Sequence, residues 1–184
     1  MRKVIYGINL SLDGCCDHTK FSGDETILEY FTELMNGVDL IVYGRKTYEL
    51  MVPYWPNVVK SGDGGEAEIK FAKAFSAIDK VVFSRSLESV EDEKARVVSA
   101  DIKQEILRLK DEPGGNISLG GVDFPSQLIE LGLVDEFHFV IHPVIVGEGR
   151  RLFDTARLQE NLGLELLESK TLKSGCMALH YHRI

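Results

Sequence analysis

The residues best placed to do chemistry lie in the run 39–49, Asp-Leu-Ile-Val-Tyr-Gly-Arg-Lys-Thr-Tyr-Glu. It reads as a buried strand that ends on Gly44 and opens a helix. A helix start leaves backbone N–H groups without partners, and such groups attract anions. Gly44 permits close backbone approach, Thr47 offers a hydroxyl, and Arg45 or Lys46 supplies charge. The plain alternative is an ordinary turn with solvated basic residues. A second junction, Gly120-Gly121, also follows a strand and precedes a helix, and it leads into Val122, Asp123 and Phe124. Two phosphate-grade junctions point to a dinucleotide. The spacing is not Gly-x-Gly-x-x-Gly, so the ordinary Rossmann fingerprint is absent.

Ser84-Arg85 stands just beyond a strand ending Val82-Phe83. A serine and an arginine there suit a 2′-phosphate, the group that separates NADPH from NADH. Ser11-Leu12-Asp13-Gly14 sits at the carboxyl end of the first strand, the edge where open α/β sheets take ligands. The run from Pro143 to Phe153, with Gly147 and Gly149 around Glu148 and then Arg150-Arg151, reads either as a ligand wrap or as a surface loop stapled by Leu152 and Phe153. His138 and His142 share one strand face, as do His180 and His182, but no third metal ligand stands out, so solvent-facing histidines are the simpler reading. Cys15-Cys16-Asp17-His18 has ligand types without ligand spacing, and three cysteines make no disulfide framework. No metal site is expected. Trp55 is a candidate to stack on a flat ring, and equally a core or interface aromatic.

The elements that position these groups follow from periodicity. Residues 3–12 and 38–43 read as strands; Ile27, Leu28, Phe31, Leu34 and Met35 mark one face of a helix capped by Asp24 or Ser22. A short helix begins near Arg45, and Val52-Pro53-Tyr54-Trp55-Pro56 is expected to break it. Helices follow at 66–76, 101–110 and 123–132, and strands at 80–84, 96–99 and 116–120. This alternation implies a mainly parallel sheet with helices on its faces. Residues 135–146, 163–172 and 176–183 read as strands with little helix between them. Lys173-Ser174-Gly175 joins the last two as a hairpin, so the sheet should be mixed.

A chain of 184 residues with 44% hydrophobic and 27% charged content is one soluble domain spanning 1–184. The net charge of -8 argues against nucleic-acid binding. No apolar run approaches a membrane span, and the N-terminus enters a strand without a signal-peptide pattern, so a cytoplasmic protein is expected.

Taken in order, Ser-x-Asp-Gly, Gly-Arg-x-Thr-Tyr-Glu, Val-Val-Phe-Ser-Arg, Gly-Gly, and Asp-Glu-Phe followed by Pro-x-x-x-Gly-x-Gly-x-x-Leu-Phe resemble the dihydrofolate reductase-like superfamily. They are most similar to the reductase domain of the bifunctional riboflavin-biosynthesis deaminase/reductase and its stand-alone bacterial relatives. The resemblance runs from Lys3 to Arg183. It implies an α/β, three-layer α/β/α fold around a mixed, mostly parallel eight-stranded sheet with an antiparallel C-terminal hairpin. It also implies NADPH, with Gly44, Arg45, Lys46 and Thr47 on its phosphates. Ser84 and Arg85 would stand near the 2′-phosphate, and Gly120, Gly121 and Val122 on the pyrophosphate and nicotinamide ribose. The expected substrate is a small heterocycle, as in 5-amino-6-(5-phosphoribosylamino)uracil reductase. A dihydrofolate or pterin reductase and a non-catalytic NADPH-binding module are the alternatives. Asp13 is expected to contact substrate, with Asp24 or Glu25 assisting a proton. Asp24 and Glu25 do not align clearly with the first-helix acid of dihydrofolate reductases, whose position falls around Thr26 and Ile27, and the zinc-binding deaminase half is missing. A homodimer is expected, from the dimeric relatives and the long apolar strand 137–146.

Overall fold

In a computed structural model, which describes residues 1–153, 158 and 160–184, the strands form one sheet. The elements run β1 (Val4–Ser11), α1 (Glu25–Met35), β2 (Val38–Gly44), α2 (Arg45–Ser61), α3 (Glu66–Ala77), β3 (Asp79–Phe83), β4 (Ala95–Val98), α4 (Ile102–Asp111), β5 (Asn116–Leu119), α5 (Asp123–Glu130), β6 (Glu136–His142), β7 (Leu164–Thr171) and β8 (Met177–Arg183). The eight strands lie in the order β4-β3-β2-β5-β1-β6-β8-β7. Every pairing from β4 to β6 is parallel, and β8 is antiparallel to both β6 and β7. The parallel strands therefore point their carboxyl ends at one edge, as the alternating pattern required.

Alternation within each strand builds two cores. Val4, Tyr6, Val42, Val81 and Leu119 face α4 and α5, where Ile106, Leu109, Phe124 and Leu128 close over them. Ile5, Ile41, Tyr43 and Val82 face the other way, toward Tyr48 and Val52 of α2 and Phe71 and Phe75 of α3. Ile27 of α1 packs on Val140 and Ala178 in a third cluster. Three layers result. Asp24 caps α1 by accepting the Ile27 N–H at 3.0 Å, a cap that contributes about 1 kcal/mol.

Two expectations need correction. The helix opened by Arg45 does not break at Pro53 and Pro56 but continues to Ser61 with both prolines inside. Packing overrides propensity here, because Tyr48, Val52 and Val58 are buried and Trp55 lies 4.5 Å from the Phe71 ring. That contact also makes Trp55 a core aromatic. The strand expected at 135–146 spans only Glu136–His142. Beyond Pro143 the chain turns back over β1, where the Leu12 N–H donates to the Val144 carbonyl at 2.9 Å.

Candidate active site

The carboxyl edge of the sheet holds a cavity of about 1020 Å³, at the upper end of the range for cofactor sites. Gly44, Arg45, Lys46, Thr47, Ser84, Arg85, Gly121 and Val122, the ends of β2 and β3 and the start of α5, all line it. Gly120 does not line it. An added Cβ at Gly120 would run into the Tyr43 ring, so this glycine serves backbone packing.

The two glycine junctions are packed against each other. Gly121 has φ +83°, and a Cβ there would overlap the Thr47 hydroxyl of the other junction. A Cβ on Gly44 would press on Phe124 at 3.2 Å. The Gly121 carbonyl accepts the Tyr6 hydroxyl at 2.7 Å, so the turn is fixed from beneath by a fully buried phenol. Burial raises the Tyr6 pKa well above the usual phenol range, which keeps that hydroxyl a donor. Helix α2 has Gly44 at its N-cap with no side-chain cap, which leaves its first N–H groups without a side-chain acceptor at that position.

Charge at the cavity favours an anion. Arg45, Lys46, Arg85 and Arg150 face three carboxylates, Asp17, Asp101 and Asp123. Asp123 is shared by Lys46, at 3.8 Å, and by Arg150, and Asp101 caps α4 by accepting the Gln104 N–H at 2.9 Å. Arg45 is 3.2 Å from Glu49 one turn on. The Ser84 hydroxyl accepts the N–H groups of Ser86 and Leu87, at 3.2 and 2.9 Å. It thus builds the turn that holds exposed Arg85 on the rim, and no ion pair ties Arg85 among the described residues.

Asp13, Asp24 and Glu25 lie outside this cavity. Asp13 accepts from the Ser11 hydroxyl at 2.6 Å and from the N–H groups of Val146 and Gly147 at 3.1 and 2.9 Å. It therefore ties the 143–153 loop to the end of β1. These bonds, that of Ser11 first, hold its carboxyl well below the usual range and keep it ionised. Burial pushes Asp24 upward, but bonds from the Thr26 hydroxyl and the Ile27 N–H outweigh it and the net shift is downward. Glu25 is exposed beside it.

Sequence reasoning missed Asp123 and the Ser99–Asp101 loop, and it weighed Cys16–His18 only as metal ligands; all of these are in the lining. Asp123 was within reach of it, two residues past Gly121. Arg150, from the 143–153 run whose sequence reads as either a ligand wrap or a surface loop, lines the cavity as well. The histidines also need correcting. His138 and His142 are buried, not solvent-facing. His138 stacks on His180 with centroids 4.1 Å apart, and His142 meets Asn9 Oδ1 at 3.1 Å and the Phe21 ring at 4.4 Å. No helix among the described residues is long and apolar enough to cross a membrane.

The sequence profile of the RibD C-terminal domain matches residues 2–178. The chain is 32% identical to the uncharacterized protein YyaP of Bacillus subtilis (strain 168) over 98% of this chain and 95% of that one. It is 26% identical to YwjB of the same organism, also uncharacterized, over 99% and 98%. Among solved structures it resembles a putative riboflavin biosynthesis protein from Shewanella sp. PV-4 (TM-score 0.72, 21% identity, 99% of each chain). It also resembles a diaminohydroxyphosphoribosylaminopyrimidine deaminase/5-amino-6-(5-phosphoribosylamino)uracil reductase from Thermotoga maritima (TM-score 0.70, 15% identity, all of this chain and 57% of that one). At these identities the solved structures speak for the fold.

Proposed function

This chain belongs to the RibD C-terminal domain family, and on that premise we propose that it is a cytoplasmic NADPH-dependent reductase of a small heterocycle. Its substrate class is that of 5-amino-6-(5-phosphoribosylamino)uracil. The observation that carries the proposal is the meeting of two glycine junctions and a free arginine around one cavity. Thr47 and Gly121 touch, so anionic groups of one ligand can engage both helix starts at once.

The residues fit the cofactor. Gly44 and Gly121 bring backbone to the cavity wall where no Cβ would be accommodated without displacement, and the uncapped start of α2 offers N–H donors. On this reading Gly44, Arg45, Lys46 and Thr47 hold phosphate, with Gly121 and Val122 against the pyrophosphate and ribose and Gly120 behind them. Arg85, set by the Ser84 turn, meets the 2′-phosphate. NADPH supplies the hydride, and the chain supplies orientation. Asp13 is the substrate contact of this reading, as a fixed acceptor. Asp24 or Glu25 assists a proton; Glu25 is the freer of the two, since Asp24 is engaged as a helix cap.

The proposal includes a homodimer. Helices α4 and α5 cover the parallel half of one sheet face. Beyond them Phe139, Ile141, Leu179 and Tyr181 are half-buried, and Leu166 and Met177 are 49% and 37% exposed. Register places Phe137, Tyr181 and Leu166 in one row, Phe139 and Leu179 in the next on that face, and Ile141 and Met177 in the third. A second copy would cover that strip.

The test is a fluorescence titration of the purified protein with NADPH, followed by turnover on a panel of pyrimidines and pterins. Saturable binding at micromolar concentration with pyrimidine-dependent oxidation of NADPH is expected. Absence of saturable binding sinks the proposal, and binding without turnover on any member reduces it to a binding module.

A further inference from the structure

We infer that Glu136, His138 and His180 form a binding site for one divalent transition-metal ion of the zinc class. None of the three lines the cofactor cavity, so the site is separate from the proposed reductase chemistry. The strands bring the residues together. Glu136 and His138 are two apart on β6 and share a face. His180 on β8 is the cross-strand partner of His138. One ligand atom from each lies within 4.8 Å of the others.

The spacing suits zinc. Two ligands about 2.0–2.1 Å from the ion at a tetrahedral angle stand about 3.4 Å apart. His180 Nε2 and Glu136 Oε2 are 3.2 Å apart, already one edge of such a tetrahedron. An ion there takes the place of the hydrogen bond they now share. His180 then carries its remaining proton on Nδ1, and any second proton leaves to solvent. The His138 and His180 rings are stacked 17° from parallel, so one must turn to bring both lone pairs onto the ion. His180, half-buried, has the room, and His138 is held.

The supporting shell is in place. His138 Nδ1 is 2.9 Å from the Tyr30 hydroxyl. With Nδ1–H donating to that oxygen, the Nε2 lone pair is left for the ion. The Lys3 ammonium holds the other carboxylate oxygen, Oε1, at 2.6 Å and fixes the group without blocking Oε2. Borderline nitrogen and oxygen ligands select zinc or cobalt over calcium or magnesium. Three protein ligands leave a fourth position for water. The ion would clip β8 to β6, in the part of the sheet with fewest covering helices.

The probe is Zn²⁺ itself, added to chelator-treated protein by calorimetry, with Co²⁺ as the spectroscopic stand-in. One ion per chain is expected. His180→Gln and His138→Gln each weaken it by more than the ~10–100-fold that loss of a supporting partner costs, and Tyr30→Phe by about that amount. Lys3→Met tightens binding, because a neighbouring positive charge is gone. His180→Gln carries the test if His138→Gln fails to fold, since His180 is the less buried of the two. Unchanged Zn²⁺ affinity in His180→Gln overturns the inference. So does a thiolate-to-cobalt charge-transfer band, which would put the ion on Cys15 or Cys16.

Discussion

Replacing Gly121 by alanine separates what this glycine does for the fold from what it does for the ligand. Its φ of +83° is a left-handed conformation that costs an alanine about 1–2 kcal/mol. Gly147, with φ +80° and nothing within 4 Å of an added Cβ, carries the same backbone cost with no clash. Gly147→Ala should therefore lower the melting temperature by roughly 2–8 °C for a domain of this size and leave NADPH affinity unchanged. Gly121→Ala adds the overlap with Thr47, and overpacking costs a further ~1–3 kcal/mol. The displaced threonine loses a hydrogen bond to a charged group, worth about 1.5–3 kcal/mol, so NADPH affinity falls about tenfold to a hundredfold. The double variant Thr47→Ala/Gly121→Ala should regain part of the stability and none of the affinity, because the hydroxyl that clashes is the one that binds. Urea melts and fluorescence titrations of the four proteins measure both quantities. Wild-type NADPH affinity in Gly121→Ala would refute the reasoning, since the two junctions would then not share a ligand.

Arg85→Ala should weaken NADPH about tenfold to a hundredfold while leaving NADH alone; equal losses for both in parallel titrations would take Arg85 off the 2′-phosphate. Burial, with His180 nearby, lowers the His138 pKa to about 4. As pH falls below about 6.5 the unfolded chain gains a proton there that the folded chain refuses until about 4. Up to about 3 kcal/mol of stability is then lost across that window, and none above it. Urea midpoints from pH 7.5 to 4.5 should fall more steeply for the native protein than for His138→Gln; parallel curves would contradict the buried neutral imidazole. Light scattering should give twice the mass of one chain, and Leu166→Lys with Met177→Lys should halve it. A monomeric native protein contradicts the dimer.

Much of this was legible in the chain because it is local. The strand-to-helix junctions at Gly44 and Gly120-Gly121 show themselves through glycine and the change of hydrophobic period, and parallel alternation then sends both to one edge. Lys173-Ser174-Gly175 marked the hairpin in the same way. What stayed hidden is set by pairing at long range. Nothing near His138 announces His180, 42 positions on, because the link is the antiparallel register of β6 and β8. Asp13 was marked by its place at the end of the first strand, but its engagement with Val146 and Gly147 appears only when the returning loop is seen. Helix α2 went wrong for the opposite reason. Its local signal is clear and is outweighed by packing on α3.

The prolines of α2 bear on how the chain acquires its shape. Neither can donate to the carbonyl four residues back, so a helix of 17 residues lacks two interior rungs. A segment so written has little helicity alone in water. Its order is borrowed from Phe71 and its neighbours, so α2 should consolidate after α3 has docked on β2 and β3. Gly44 to Thr47 would be the last part of the ligand edge to set. Amide exchange should then find α2 opening before β1, β2 and β5, and bound ligand should slow that opening first at the helix start.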